Sequence, residues 1–269
     1  MGIFKKKSVK PEIKVVVKDT KRKEEKNPFE TVAAKEIGKL DMVIAFDTTG
    51  SMASYIGAVR KEVSELIPRL FRENGDLRLG IVAFGDYCDM VNAQEFGKAY
   101  QSIQLTSNEN ELIRFVRESQ DTSGGDGDEF YELVLKRIIE ETEWREGSTK
   151  VILLIADAVP HKLGYSYGNI IVDNRIDWRE EAKKAASMKI KVDTVTITDA
   201  EWFKELSAIT NGVSSPFCSG YKTARLVEAA AYCRGSESKR KIFDAMETDC
   251  DDEEMKAVFK SYKKERMDF

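Results

Sequence analysis

Asp47-Thr48-Thr49-Gly50-Ser51 puts a carboxylate and two hydroxyls at positions 47, 49 and 51. The apolar run Met42-Val43-Ile44-Ala45-Phe46 precedes it, and a helical pattern begins near Ala53. The run predicts a buried strand, so the polar residues fall in the loop at its carboxyl end. Open α/β sheets bind ligands at that edge. Thr49 and Ser51 are two apart, so one loop can turn both hydroxyls toward a single point, and Gly50 lets the backbone bend between them. Oxygen donors this close together suit a hard divalent cation. The amides that open the following helix add a partial positive field, which favours an incoming carboxylate. A second apolar run, Val151 to Ala156, ends in Asp157. Two strands that each deliver a carboxylate to the same edge point to a metal site.

A third segment, Thr122-Ser123-Gly124-Gly125-Asp126-Gly127-Asp128-Glu129, combines three glycines with hydroxyls and carboxylates. It is a second candidate ligand loop, from which either Thr122 or Asp126 reaches the cation. Asp128 and Glu129 better suit the first turn of the helix expected near Phe130. His161, the only histidine, follows Asp157 by four residues. It has no evident nucleophile or acid partner in the sequence and is expected to be a packed or hydrogen-bonding residue.

These loops need a scaffold, and the chain alternates in type to supply one. Strands are expected at Asp41–Phe46, Leu77–Phe84, Lys150–Ala156 and Lys191–Thr198, with a weaker one at Gly212–Phe217 and a short edge strand at Cys88–Phe96. Between them, Ile56, Val59, Val63, Leu66, Ile67 and Leu70 recur at helical spacing. Pro68 inside that run is expected to kink or shorten the helix. Leu112, Phe115 and Val116 mark a second helix and Phe130 to Glu141 a third. Asp177 is a good N-cap for a helix over Trp178–Met188. Glu201–Ile209 and Thr223–Tyr232 complete the set. Alternating strands and helices predict a doubly wound, mostly parallel α/β sheet with helices on both faces.

The organisation expected is a basic tail over 1–37, a body over 38–233 and a charged helical extension over 234–269. Residues 1–26 carry nine Lys and one Arg against four acidic residues. This tail, with one short strand around Ile13 to Val17, is either a solvated arm or a docking arm for an acidic partner. In the extension, helices are expected at Ser238–Met246 and Glu253–Lys264. The acidic run Asp249–Glu254 lacks EF-hand spacing and suits a helix N-terminus.

A net charge of −4 argues against broad nucleic-acid binding. No run approaches the length needed to span a bilayer, and the N-terminus lacks the apolar core of a secretory signal. Cys88, Cys218, Cys233 and Cys250 form no Cys-x-x-Cys pair, which fits reduced thiols and a cytoplasmic location.

Asp47-x-Thr49-x-Ser51 after a buried strand, the glycine-rich second loop and the strand-terminal Asp157 resemble the metal-ion-dependent adhesion site of von Willebrand factor type A domains. Three further strings resemble the intracellular branch that includes the A domain of alpha-kinase-associated von Willebrand proteins. They are Gly124-Gly125-Asp126 with Glu129, Asp157-Ala158-Val159-Pro160-His161, and Asp177 through Lys184. Ile209-Thr210-Asn211-Gly212 fits the turn before that family's last strand. The resemblance covers roughly 38–233. It implies a Rossmann-like sheet of about six strands, with metal ligands at Asp47, Thr49 and Ser51 and, often through water, at Asp157. In many members the second loop supplies a Thr; here Asp126 or Thr122 fills that role. A third carboxylate would tighten cation binding and weaken attraction for an acidic ligand.

The expected function is a metal-dependent protein-binding module. Mg²⁺, or Mn²⁺ or Ca²⁺ in its place, would bridge the site to an Asp or Glu of a partner. Two alternatives compete: a metal-dependent phosphohydrolase, and a scaffold with a vestigial site. The first is disfavoured by Thr49, which stands where an Asp-x-Asp enzyme needs its second carboxylate. The chain is therefore not expected to be an enzyme.

Overall fold

A computed structural model of the protein describes residues 38–90, 96–217, 221–235 and 237–267. The expected basic tail over 1–37, including the strand around Ile13 to Val17, lies outside them. Six strands form one sheet: β1 (Leu40–Asp47), β2 (Leu77–Phe84), β3 (Tyr100–Thr106), β5 (Thr149–Ala156), β7 (Ile190–Thr196) and β8 (Ser214–Pro216). Their order is β3-β2-β1-β5-β7-β8. All neighbours run parallel except β3, which is antiparallel to β2. Two short strands, β4 (Asp128–Glu129) and β6 (Val159–Pro160), pair in parallel outside the main sheet.

β1 is buried along its whole length. Its alternation sends Met42, Ile44 and Phe46 into one core and Val43 and Ala45 into the other. Successive strand residues point to opposite faces, so a strand covered on both sides must be apolar almost throughout. The first core is closed by α1 (Ile56–Glu73) and α3 (Glu109–Glu118), the second by α4 (Tyr131–Glu141), α5 (Trp178–Ser187) and α6 (Glu201–Ile209). Asp177 caps α5 by accepting from the Arg179 amide at 2.9 Å. Every apolar residue expected on the α1 stripe is buried in the first core.

Three expectations are corrected. Pro68 does not end α1, which continues to Glu73. A proline removes only one amide donor, and the buried stripe on both sides holds the helix together. Cys88 is not in a strand: Tyr87–Met90 form a 3₁₀ turn, Phe96–Ala99 (α2) a short helix, and the edge strand is β3. The Asp89 carboxylate accepts from the Asp86 amide at 3.0 Å, and this side-chain bond favours a turn over an extended chain. Asp128 and Glu129 are not in the first turn of α4 but form β4, and Phe130 is the N-cap.

The chain continues through α7 (Tyr221–Tyr232), α8 (Glu237–Thr248) and α9 (Glu253–Met267). Phe243, Met246, Met255, Val258, Phe259 and Tyr262 are buried in the same core as Met42 and Ile44. Asp252, within the acidic run, accepts from the Met255 amide at 3.1 Å and caps α9. Asp193 on β7 ties this end in. Its carboxylate accepts from the Val213 amide at 2.8 Å, pairs with buried Arg234 and accepts from the Tyr262 hydroxyl at 3.3 Å.

At the amino edge of the sheet, Asp41 is fully buried yet well served. It accepts from Arg78 Nε at 3.1 Å, Arg145 Nε at 2.8 Å, the Arg145 amide at 2.7 Å and Ser148 Oγ at 3.1 Å. Burial alone would raise its pKa, but the Arg78 and Arg145 bonds outweigh it and hold the carboxyl below its ordinary value. A carboxylate with a depressed folded-state pKa stabilises above its unfolded value and loses that contribution as pH falls through the folded one. Asp41→Ala is expected to cost about 3 kcal/mol at neutral pH, the low end for a broken buried pair, because both arginines keep some access to water. Urea unfolding at neutral and acid pH checks this. The gap from wild type should narrow as pH drops below the ordinary carboxylate range.

Candidate metal centre

The order β3-β2-β1-β5-β7-β8 reverses at β1, whose successors lie on both sides of it. The crevice at such a switch point, beyond the carboxyl ends of the strands, is where open α/β sheets place ligands. β1 and β5 meet there in parallel register, Phe46 opposite Ile155, so the loops carrying Asp47 and Asp157 emerge side by side.

Asp47 is fully buried. Its Oδ1 accepts from the Thr49 amide at 2.8 Å and from Thr49 Oγ1 at 2.7 Å, and its Oδ2 accepts from the Tyr131 hydroxyl at 2.6 Å. Thr49 Oγ1 lies 3.1 Å from Ser51 Oγ. The carboxylate and both hydroxyls of the first loop therefore form one connected set of oxygens. The Tyr131 hydroxyl also accepts from the Ala158 amide at 3.2 Å and so links the β1 loop to the residue after Asp157.

The second loop is strapped to the first by backbone. Thr122 N donates to Thr48 O at 2.9 Å and Gly50 N to Ser123 O at 3.1 Å. Thr122 Oγ1 lies 3.1 Å from Thr48 Oγ1, which puts Thr122 beside the first loop. Asp126 has other neighbours. It is exposed, its Oδ2 accepts from the Tyr165 hydroxyl at 2.9 Å, and it shares a cluster with Asp86 and His161. His161, as expected, is a hydrogen-bonding residue, its Nε2 2.7 Å from Asp86 Oδ1.

Burial and mutual repulsion set the electrostatics. Asp47 is pushed up to about 7, chiefly by burial and further by the charge of Asp157, against its hydrogen bonds from Tyr131 and Thr49. Glu129 is pushed up to about 10 by burial and by Asp47, Asp86 and Asp89, while a hydrogen bond from Thr49 opposes the rise. Asp157 Oδ1 and Glu129 Oε2 are buried with no hydrogen-bond partner. A buried carboxylate oxygen without a donor is costly, and a cation beside it removes that cost. The oxygens of Asp47, Thr49, Ser51 and Asp157 thus fit a hard divalent ion: all are oxygen donors, one is orphaned, and neither carboxyl group forms an ion pair with Lys or Arg among the described residues.

The sequence put Glu129 in a family-like string but gave it no role at the site, and it did not point to Tyr131. Glu129 sits at the edge of an apolar helical pattern and looks like a capping residue. Only its pairing with Pro160 across β4 and β6 turns it inward. Tyr131 is an ordinary core position by periodicity, and its hydroxyl finds Asp47 only because α4 packs beneath the switch point.

The family pattern of the von Willebrand factor type A domain matches residues 41–224. Among curated proteins, the chain is similar to alpha-protein kinase vwkA of Dictyostelium discoideum, 31% identical over 150 residues, which are 54% of this chain and 22% of that protein. It is also similar to the putative ariadne-like RING finger protein R811 of Acanthamoeba polyphaga mimivirus, 23% identical over 185 residues, 64% of this chain and 18% of that one. The chain thus spans about a fifth of the length of these relatives. Among solved structures, conserved hypothetical protein BatB from Bacteroides thetaiotaomicron superposes with a TM-score of 0.48 at 15% identity, covering 70% of this chain and 95% of the other.

Tyr131→Phe keeps the ring, which stacks on Trp202, and removes the hydroxyl that joins Asp47 to Ala158. The expected loss is about 1.5–3 kcal/mol, the range for a buried hydrogen bond to a charged group. The urea midpoint at constant slope measures it.

Proposed function

We propose that this chain, which belongs to the von Willebrand factor type A family, is a protein-binding module that engages an acidic side chain of a partner through one divalent cation. Asp47, Thr49, Ser51 and Asp157 would hold the ion, with Thr122, whose hydroxyl lies 3.1 Å from that of Thr48, as the second-loop candidate. The observation that carries this reading is the orphaned, buried Oδ1 of Asp157, next to a carboxylate whose pKa is raised partly by Asp157's own charge. Mg²⁺ suits the donor set because it binds few protein oxygens and keeps waters that a ligand oxygen can replace. Mn²⁺ and Ca²⁺ are the alternatives.

The residues have separable tasks. Asp47 supplies charge, and its hydrogen bonds from Thr49 and Tyr131 fix its orientation before any ligand arrives. Thr49 and Ser51 supply neutral oxygens, so the site gains ligands without further repulsion. Tyr131 holds the β1 and β5 loops at a constant separation. When bound, the ion supplies an exchangeable position for a partner carboxylate. The basic segment 1–37 offers a second attraction for an acidic partner.

The proposal is non-enzymatic. Thr49 stands where an Asp-x-Asp phosphohydrolase needs a carboxylate, and the chain spans only 22% and 18% of the kinase and RING relatives.

Two measurements test it. Mg²⁺ at a hundredfold excess over its dissociation constant should stabilise the wild type by about 2.7 kcal/mol by mass action, seen as a rise in melting temperature. Asp47→Ala should show no such rise. In affinity capture from the native cell, partner recovery should vanish with EDTA and with Asp47→Ala. Equal recovery in all three conditions refutes the reading.

A further inference from the structure

A second group of ligating side chains lies beyond the Asp47 loop. One ligand atom from each of Asp86, Asp126 and His161 lies within 4.8 Å of the other two. Their positions in the chain are far apart, and the fold assembles them. Asp86 follows β2 by two residues, Asp126 lies in the glycine-rich loop, and His161 follows β6 directly. The parallel pairing of β4 with β6 brings the last two together.

The group is organised before any ion is considered. His161 and Asp86 have fully buried side chains, with Nε2 and Oδ1 2.7 Å apart. Tyr165 stacks on the imidazole with ring centroids 3.7 Å apart, and its hydroxyl holds Asp126 at 2.9 Å. Asp86 Oδ2 and His161 Nδ1 are buried with no hydrogen-bond partner. Each is a lone-pair site or polar group that the protein leaves unsatisfied, at a cost.

Charge points the same way. Asp86 and Glu132 are buried beside this imidazole, and Asp89 and Glu129 are buried near Asp86. Glu132 accepts from the Tyr87 hydroxyl at 2.9 Å and from the Asn174 amide at 3.0 Å, and Asp89 from Ser123 and Gly124. These are neutral donors. Among the described residues no Lys or Arg forms an ion pair with any of the four; the one basic partner is His161 itself, on Asp86. Ionising buried carboxyl groups without a counter-ion is unfavourable, and a bound cation would supply one.

We propose that Asp86, Asp126 and His161 form a second metal site, distinct from the Asp47 loop, that takes a divalent transition-metal ion of the Zn²⁺ class. The imidazole sets the class. Nitrogen donors select zinc and its neighbours, whereas an all-oxygen set such as the Asp47 loop suits Mg²⁺ or Ca²⁺. Three protein ligands, one of them on an exposed loop, leave room for water in the remaining position. Asp126, expected from the sequence as a ligand of the first site or as a loop residue, belongs to this one.

The test uses the full chain, stripped with chelator and dialysed against Zn²⁺ with Mg²⁺ in excess, and reads zinc per chain by elemental analysis. Wild type should keep about one equivalent at this three-ligand site. His161→Gln should lose it, and Asp126→Asn should weaken it at least about tenfold, since even outer-sphere changes cost that much. Ser51→Ala, in the other site, should keep it. Circular dichroism establishes folding; if His161→Gln does not fold, exposed Asp126→Asn decides. No zinc retained by wild type, equal retention in wild type and Asp126→Asn, or loss in Ser51→Ala overturns the proposal. A wild type that keeps zinc but shows no Mg²⁺-dependent rise in melting temperature would uphold this site while refuting the first.

Discussion

A set of buried carboxyl groups at the carboxyl edge of the sheet is the constraint on which this structure turns. Asp47, Asp86, Asp89, Glu129 and Glu132 are all buried there, and none is paired with Lys or Arg among the described residues. The opposite edge shows what the same chain does when a buried carboxylate is only structural. Asp41 is surrounded by Arg78, Arg145 and Ser148, and its pKa falls. At the carboxyl edge the pKa of Asp47 and Glu129 rises, because burial and neighbouring carboxyl groups outweigh the hydrogen bonds that oppose the rise. Neutral donors orient a carboxylate but do not neutralise it. A site built this way is stabilised by whatever positive charge enters it.

The fold holds these groups apart and in place by short, local means. β4 and β6 contribute only two residues each, yet they bring Glu129 toward Thr49 and His161 toward Asp126. Asp89 receives the Ser123 and Gly124 amides and clamps the second loop onto the turn that follows β2. Two glycines make this approach possible. A Cβ at Gly85 would come within 2.5 Å of both Asp89 Oδ2 and Thr122 Oγ1, and Gly124 adopts φ +68° against Thr49. The adjacent carboxylate groups are thus separate in ligands but share a loop.

The carboxyl-terminal helices belong to the same hydrophobic unit as the sheet. Phe243, Phe259 and Tyr262 pack with β1 and α1 side chains, and Asp193 binds Arg234 and Tyr262 from the middle of β7. The family match ends at residue 224, inside α7, so this cover lies outside the matched segment while completing its core. It closes one sheet face and leaves the ligand edge to the loops after β1, β2 and β5.

The sequence by itself determined the doubly wound sheet, the burial of β1 and β5, and the delivery of Asp47 and Asp157 to one edge. These follow from patterns a few residues long: continuous apolar runs, helical stripes such as Ile56 to Leu70, and a cap such as Asp177. Only the tertiary structure decided that Asp126 sits with His161 and Asp86, that Glu129 turns inward, and that Tyr131 grips Asp47. The β3 edge strand was hidden because none of its residues is fully buried, so its apolar pattern is weak. Hydrophobic periodicity says which face of an element is covered, because burial is a property of each residue's own surface. The grouping of Asp86, Asp126 and His161 is a relation between residues far apart in the chain, and no local pattern encodes the distance between them.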